Sequence, residues 1–214
     1  MQLYSFFNSS TSYRVRIALA LKGQEYGYHG VNLRSGEQRS AAHRELSPVG
    51  GVPVLVDDDG EQLTQSLAII DYLDAKLPEP RLIPQDALAR ARVLEVANLI
   101  ACDIHPINNL RVLGYLQKEL GVTAEQKDAW YRHWVAEGLA AVEELLRRHG
   151  GEGPYCFGAA PTLADCCLVP QVANAVRMGC DVEPYARVMA VYRHCLEQPA
   201  FQRAAPSQQP DFIA

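Results

Sequence analysis

The chain has the size and composition of an ordinary globular protein, and its charge argues against several kinds of partner. It has 214 residues, of which 48% are hydrophobic and 21% charged, and its formal net charge is −5. This length allows one large domain or two modest ones, with enough apolar residues for a core. Phosphate binding needs concentrated lysine and arginine, so the acidic balance argues against nucleic acid as a partner. No stretch has the pattern of a membrane span or a signal peptide.

The cysteine pattern predicts free thiols. No two of the cysteines form a C-x-x-C pair, and a scattered set of this kind is typical of buried thiols in a reducing cytoplasm. We therefore expect neither a disulfide framework nor a zinc site. The six positions are Cys102, Cys156, Cys166, Cys167, Cys180 and Cys195.

The N-terminal part of the chain alternates strand and helix patterns. A short aromatic strand at 2–7 precedes a helical pattern at 12–23, and a strand weakened by glycines follows at 26–33. After a polar helical stretch, two strands flank a turn at Asp59–Gly60. An amphipathic helix then begins with Ser66 as its cap. The predicted order is β-α-β-α-β-β-α.

A proline-rich stretch divides the chain into two predicted domains. Residues 78–86 hold three prolines and little periodicity, which is typical of a linker. We expect an α/β domain over 1–80 and an all-α domain over 87–214. The second is predicted to begin with one long helix that is disturbed near Pro106.

Two later helices have strong start signals. Thr123 with Gln126, and Thr162 with Asp165, have the spacing of a capping box, in which side chain and backbone bond reciprocally. Two shorter helices are expected to close the chain.

A cluster of hydroxyl residues stands before the first helix. Ser9, Ser10 and Thr11 can cap the helix, because small hydroxyls accept from its orphan N–H groups. They can also hold an anion at the positive helix end and donate a hydrogen bond to a thiolate. The local sequence favours capping, but the two roles are compatible.

Two further stretches of the first domain have a structural and a functional interpretation. Pro53 in "GGVPVL" is expected to start an edge strand, and a cis peptide there would expose the Val52 backbone to an extended peptide. Gln65 and Ser66 stand at a strand-to-helix junction. They can hold a carboxylate at the helix N-terminus, or Ser66 can serve only as a cap.

The stretch "CDIHPINNLR" is unusually polar for the interior of a helix. It holds Asp103, His105, Asn108, Asn109 and Arg111 beside a proline. Burying so many polar groups costs stability, which favours a site wall here. A metal site is disfavoured, because no second His or Cys stands at helical ligand spacing from His105.

Taken together, five stretches of this chain resemble the zeta class of glutathione transferases. The first and fourth are specific to that class, and the others occur in many glutathione transferases. They are "SSTSYRVRIALALKG", "GGVPVL", "TQSLAIIDYL", "CDIHPINNLRVLGYL" and "PTLADCCLVPQVANAVR". The resemblance implies a thioredoxin-like N-terminal domain, an all-helical C-terminal domain, glutathione as cofactor and a homodimer.

The resemblance also assigns roles to residues. It places the hydroxyls beside the glutathione sulfur, a cis Pro53 after Val52, and substrate or cofactor contacts in the helical domain. The residues implied are Ser9, Ser10 and Thr11 for catalysis; Gln38, Val52, Pro53, Gln65, Ser66, His105, Asn109 and Arg111 for the cofactor and cleft; and Asn8 and Arg177 for substrate.

One position departs from the family pattern. Asn8 stands where the family usually has an arginine, and asparagine supplies no charge for a substrate carboxylate. The resemblance implies cis–trans isomerisation of a maleyl keto acid through reversible thiolate addition. Two alternatives remain: a transferase that conjugates or dehalogenates small electrophiles such as α-halo acids, and a binding module without catalytic activity.

Overall fold

The computed structural model describes residues 1–213 and divides into two compact units. The first comprises Met1–Leu82 together with the chain from Leu196 onward, and the second comprises Ile83–Cys195. An α/β unit and an all-helical unit are present, as the sequence predicts. The predicted division differs at the C-terminus, because the last segment belongs to the first unit rather than to a second domain over 87–214.

The first unit is built on a four-stranded mixed sheet. The strands are β1 (Gln2–Ser5), β2 (Gly27–Gly30), β3 (Val54–Val56) and β4 (Gln62–Thr64), in the order β2-β1-β3-β4. Strand β1 pairs with β2 in parallel and with β3 antiparallel, and β3 pairs antiparallel with β4. The expectation that Pro53 starts an edge strand is wrong. Strand β3 lies between β1 and β4, and Pro53 is tolerated because it precedes the first paired residue.

Three helices of the first unit follow the predicted order. They are α1 (Ser10–Leu21), α2 (Ala41–Leu46) and α3 (Ser66–Lys76). Helix α1 buries Val15, Ile17 and Leu19 completely, and its apolar run therefore forms much of the core of this unit. Gly23 follows the helix with a φ of +63°, a conformation that glycine adopts without a steric penalty.

The second unit contains five helices within the described chain. They are α4 (Ala87–Asn98), α5 (Leu110–Lys118), α6 (Ala124–His149), α7 (Leu163–Arg177) and α8 (Ala186–Leu196). Both predicted capping boxes are present, at the starts of α6 and α7.

The long helix predicted over the start of this unit is disturbed near Pro106, as expected, but it does not continue unbroken up to that proline. Helix α4 gives way to a π-helical turn at Leu99–Ile104, and a 3-10 turn at Pro106–Asn108 precedes α5. The break therefore begins well before Pro106. Gly138 of α6 lies against Ile104, and a Cβ there would clash with that side chain, so the glycine makes room for the π-helical turn.

The C-terminal segment folds back on the first unit. Helix α9 (Pro199–Ala204) packs against α1 and is followed by a 3-10 turn at Pro206–Gln208. Phe201 is completely buried and Ala204 nearly so. Their burial explains why this segment belongs to the first unit.

The cysteines are free, as predicted, although not all are buried. Cys156, Cys166, Cys167 and Cys195 are buried, but Cys102 is exposed and Cys180 half-buried. Among residues 1–213, no cluster of three or more His, Cys, Asp or Glu side chains could hold a metal ion. No helix within this range has the length and apolarity needed to cross a membrane.

Candidate active site

A small cavity in the first unit collects many of the residues singled out in the sequence. It lies where the start of α1, the loop before β3 and the junction of β4 with α3 come together. Its lining consists of Thr11, Ser47, Val49, Gly51, Val52, Pro53, Thr64, Gln65 and Ser66. Three stretches distant in the sequence therefore meet in one place.

The hydroxyls at the start of α1 form a hydrogen-bonded chain. Ser9 caps the helix by accepting a hydrogen bond from the Ser12 N–H at 3.2 Å. Its Oγ also lies 2.9 Å from Thr11 Oγ1, and Thr11 donates to the Val52 carbonyl at 2.9 Å. Because the Thr11 proton is used in this bond, the Ser9 hydroxyl is the donor of the pair. The Ser9 hydroxyl proton, which points to Thr11 here, is therefore the one that can be donated to a ligand instead.

The third hydroxyl has a different position. Ser10 is the first residue of α1 and is only 6% exposed, whereas Ser9 and Thr11 are half-buried. An incoming ligand atom therefore meets Ser9 or Thr11 more readily than Ser10.

The loop before β3 is fixed by bonds that the sequence does not reveal. The Val52–Pro53 peptide is cis. Before it, His43 Nε2 donates to the Gly51 carbonyl at 2.9 Å, and Ser47 Oγ accepts from the Gly51 N–H at 3.2 Å. Neither His43 nor Ser47 belongs to a motif, so only the fold identifies them as supports of the Val52 backbone.

The start of α3 differs from the predicted capping arrangement. Ser66 is not the cap but the first helical residue, and Gln65 takes the cap position without a side-chain bond to the helix. Gln65 has a φ of +67°, a conformation rare outside glycine and frequent at functional sites. The N–H groups of the first turn of α3 are therefore not capped by the Gln65 side chain.

A buried arginine stands behind this helix start. Arg14 of α1 is 2% exposed, and its Nη1 donates to Ser66 Oγ at 3.3 Å. The guanidinium and the positive end of α3 both favour an anion near Gln65 and Ser66. The sequence motif contains Arg14, but its role depends on packing between α1 and α3.

Four predicted site residues of the first unit lie outside the lining of this cavity, namely Asn8, Ser9, Ser10 and Gln38. Gln38 is half-buried, and its Oε1 has no hydrogen-bond partner within residues 1–213. The backbone carbonyl oxygen of Gln38 lies 3.0 Å from where a Cβ of Gly50 would stand, and Gly50 has a φ of +61°. Asn8 is half-buried and directly precedes Ser9.

Within the second unit, the polar stretch predicted as a site wall surrounds the break between α4 and α5. His105 ends the π-helical turn and is half-buried, and its N–H bonds to the Ile100 carbonyl at 3.0 Å. Asn109 caps α5, and its Oδ1 accepts from the Arg111 N–H at 3.1 Å. The Arg111 side chain is exposed. Asn109 thus has a clear structural role, whereas Arg111 remains available to solutes.

Helix α6 holds this broken region in place. Trp130 Nε1 donates to the Ile107 carbonyl at 3.0 Å, and Asn108 Nδ2 donates to the Tyr131 carbonyl at 3.4 Å. Arg177, the last residue of α7, is exposed and donates to Asn174 Oδ1 at 2.9 Å. Burial raises the pKa of Tyr131 to about 12, and the charge of Arg177 opposes this rise.

Two family models match the chain. The model of the glutathione S-transferase N-terminal domain matches residues 3–81, and the model of the C-terminal domain matches residues 128–196.

Individual proteins are similar over nearly the full chain. A maleylacetoacetate isomerase from Pseudomonas aeruginosa is 47% identical, covering 99% of this chain and 98% of that protein. A holo structure of a maleylpyruvate isomerase, described as a bacterial glutathione S-transferase of the zeta class, is 46% identical, with a TM-score of 0.96 and full coverage of both chains. A maleylacetoacetate isomerase from Anaeromyxobacter dehalogenans, solved with glutathione in its active site, is 42% identical with a TM-score of 0.89, covering 99% of this chain and 97% of that one.

Proposed function

We propose that this chain, which belongs to the zeta class of the glutathione S-transferase family, is a glutathione-dependent cis–trans isomerase of a maleyl keto acid. Maleylacetoacetate and maleylpyruvate are the candidate substrates, since isomerases of both names are similar over the whole chain. The observation that carries the proposal is the Ser9–Thr11 hydroxyl pair beside the Val52–Pro53 peptide.

The cavity of the first unit fits glutathione. Val52 lines the cavity directly before the cis Pro53, where its backbone N–H could pair with the cysteinyl backbone of a peptide. The start of α3, with Arg14 behind Ser66, suits the γ-glutamyl carboxylate. Gln38, with a buried amide oxygen that has no partner within residues 1–213, offers a further polar contact. These features serve a tripeptide with one free carboxylate at each end.

The chemistry requires a nucleophile that the chain itself need not provide. Glutathione, when bound, would supply a thiol whose ionised form is a nucleophile suited to reversible addition to the maleyl double bond. An ordinary thiol has a pKa of about 8.5, so the site must favour the ionised form at neutral pH. Ser9 Oγ can donate its proton to the sulfur while still accepting from the Ser12 N–H. The N-terminal end of α1 adds a favourable electrostatic contribution.

The substrate is a dicarboxylate and needs cations and hydrogen-bond donors. We assign this role to Arg177 and Arg111, both exposed, with His105 and Asn109 as further polar contacts. Asn8 can donate a hydrogen bond to a carboxylate but cannot neutralise it.

An assay of absorbance and products tests this function. The protein is mixed with maleylpyruvate or maleylacetoacetate, with and without glutathione. We expect the maleyl absorbance to fall only with glutathione, the fumaryl isomer to accumulate, and glutathione not to be consumed. Turnover without glutathione would contradict the mechanism. Stoichiometric loss of glutathione with a chloroacid, and no isomerisation, would favour the conjugating transferase instead.

We also propose a cytoplasmic homodimer. The free cysteines suit a reducing compartment, and dimerisation follows from the resemblance to zeta-class enzymes. Light scattering should give twice the chain mass of 23.7 kDa, and a monomer at assay concentration would contradict this proposal.

A further inference from the structure

The peptide just before the catalytic hydroxyls is held by side chains on both sides. Phe7 directly precedes Asn8 and Ser9. Its N–H donates to Asp211 Oδ2 at 3.1 Å, and its carbonyl accepts from Arg16 Nη2 at 2.9 Å. This loop therefore depends on two ionisable side chains, one of them near the end of the chain.

Arg16 joins this loop to the C-terminal segment. Its side chain is completely buried, and its Nε donates to the Ala204 carbonyl at 2.9 Å. Its Nη1 donates to the Phe6 carbonyl at 3.2 Å and to Ser5 Oγ at 3.1 Å. Burial lowers the pKa of Arg16, but a guanidinium stays charged at any physiological pH. A buried cation with these partners fixes their relative positions, because moving any of them leaves a donor unsatisfied.

Asp211 is itself oriented by a tyrosine. The Tyr28 hydroxyl donates to Asp211 Oδ1 at 2.6 Å. Burial, and then the bond to Asp211, raise the pKa of Tyr28, so this hydroxyl remains a donor near neutral pH. Tyr13 and Tyr26 also interact electrostatically with Arg16, and the Arg34 guanidinium lies over the Phe7 ring.

Aromatic contacts add to the same arrangement. The Phe212 ring meets the Phe7 ring edge-on at 5.4 Å between centres, and the Arg34 guanidinium lies 5.3 Å from the Phe7 ring centre. The last turn of the chain thus contacts both the backbone and the side chain of Phe7.

We propose that the C-terminal segment from Ala204 to Asp211 is a brace that sets the position of Ser9, with Arg16 and Asp211 as positioning residues. The Ser9 N–H donates to the Phe6 carbonyl at 2.9 Å, and Arg16 bonds to that same oxygen. A shift of Phe6 and Phe7 therefore displaces Ser9 and its hydroxyl. The inference rests on the proposed function to the extent that Ser9 contacts the glutathione sulfur.

The titration of bound glutathione tests the brace without any isomerase substrate. The ultraviolet absorbance of the thiolate is followed against pH in the wild type and in Asp211→Ala. We expect the midpoint to rise by about half a pH unit or more in the variant, which is about threefold less thiolate at neutral pH. The kcat of the variant should fall at neutral pH and recover at high pH. A purely structural role would lower activity equally at every pH.

Two variants serve as matched controls. Asp211→Asn should titrate like the wild type, because its amide oxygen can accept from the Phe7 N–H while its N–H donates to the tyrosine oxygen. Gln208→Ala changes an exposed residue of the same segment and should also be unchanged.

An unchanged midpoint in folded Asp211→Ala would overturn the brace. If that variant fails to fold, Arg16→Lys replaces it, because lysine keeps the charge but cannot reach both loop carbonyls. An unchanged midpoint of the thiolate titration in Arg16→Lys would equally overturn the proposal. A wild type that binds no glutathione would overturn the proposed function and, with it, this inference.

Discussion

Ser9 combines an observed capping role with a proposed chemical role in one oxygen. Its Oγ accepts from the Ser12 N–H, which leaves its own proton for Thr11 or for a ligand. The sequence indicates both roles, because a hydroxyl before an apolar helical run is a local feature. It cannot indicate that Thr11 bonds to the Val52 carbonyl, since that contact depends on the folded position of a distant loop.

Replacing Ser9 should therefore affect both activity and stability. Ser9→Ala removes a donor to a thiolate, which lowers kcat by about tenfold to a hundredfold at neutral pH. It also removes a helix cap, at a cost of about 1 kcal/mol in the free energy of unfolding. The control is Thr123→Ala, which removes the corresponding cap of α6. It should show the loss in denaturant midpoint but full activity, and a similar loss of activity in both variants would contradict the chemical role.

Asn8 supplies a test of the substrate clamp. Asn8→Arg adds a cation that can bond a carboxylate through two N–H groups. We expect the KM for the maleyl substrate to fall by about threefold to tenfold. Asn8→Gln adds length without charge and should leave the KM close to that of the wild type. Equal KM values for both variants would show that position 8 does not face the substrate carboxylate.

At the scale of elements, the sequence predicts features that are complete within a few residues better than features that depend on packing. The capping boxes that begin α6 and α7 are present, because each is complete within four residues. The helix predicted across Leu99 fails, because the break there is accommodated by Gly138 of α6, far along the chain. Gln65, and not Ser66, takes the cap position of α3, and no sequence pattern predicts its positive φ.

The contact between α6 and the π-helical turn can be measured. Gly138→Ala places a methyl group against Ile104, which is 1% exposed and has little room to move. We expect a loss of about 1 kcal/mol or more in the free energy of unfolding. The matched change is Gly114→Ala in α5, where a Cβ meets nothing within 4 Å. It should stabilise by up to about 1 kcal/mol, since alanine favours helix. Stabilisation by both changes in a denaturant titration would contradict this account.

At the scale of the whole molecule, the sequence predicts two units but not where the last segment folds. Its helical pattern is visible in the sequence, whereas its attachment depends on Arg16 and Asp211, which lie almost 200 positions apart. Such nonlocal bonds leave no periodic signal. Motifs indicate Thr11, Val52, Pro53, Gln65 and Ser66, whereas His43 and Ser47 are identified as supports of the Val52 backbone only by the fold.

The stability of the molecule should depend on pH through Asp57. The Tyr72 hydroxyl first, and Lys76 next, hold the pKa of this carboxyl well below its usual range. The stability it contributes is therefore fully present above the ordinary carboxyl pKa of about 3.9 and is lost as the pH falls below it. Tyr72→Phe should destabilise at neutral pH and progressively less in acid. Tyr115→Phe changes an exposed tyrosine and should have no effect in denaturant titrations at either pH. If Tyr72→Phe lowers the free energy of unfolding by the same amount at neutral and at acid pH, the bond to Asp57 is not the cause of the pH dependence.

We propose that this protein uses the glutathione thiol to isomerise a maleyl keto acid. The most direct measurement compares the rate of maleyl absorbance loss with glutathione and with S-methylglutathione, which keeps the peptide but has no ionisable thiol. Calorimetry is used to check that both peptides occupy the site. We expect rapid isomerisation with glutathione and none with the methylated peptide. Equal rates with the two peptides, or isomerisation without either, would show that the thiol is not the nucleophile.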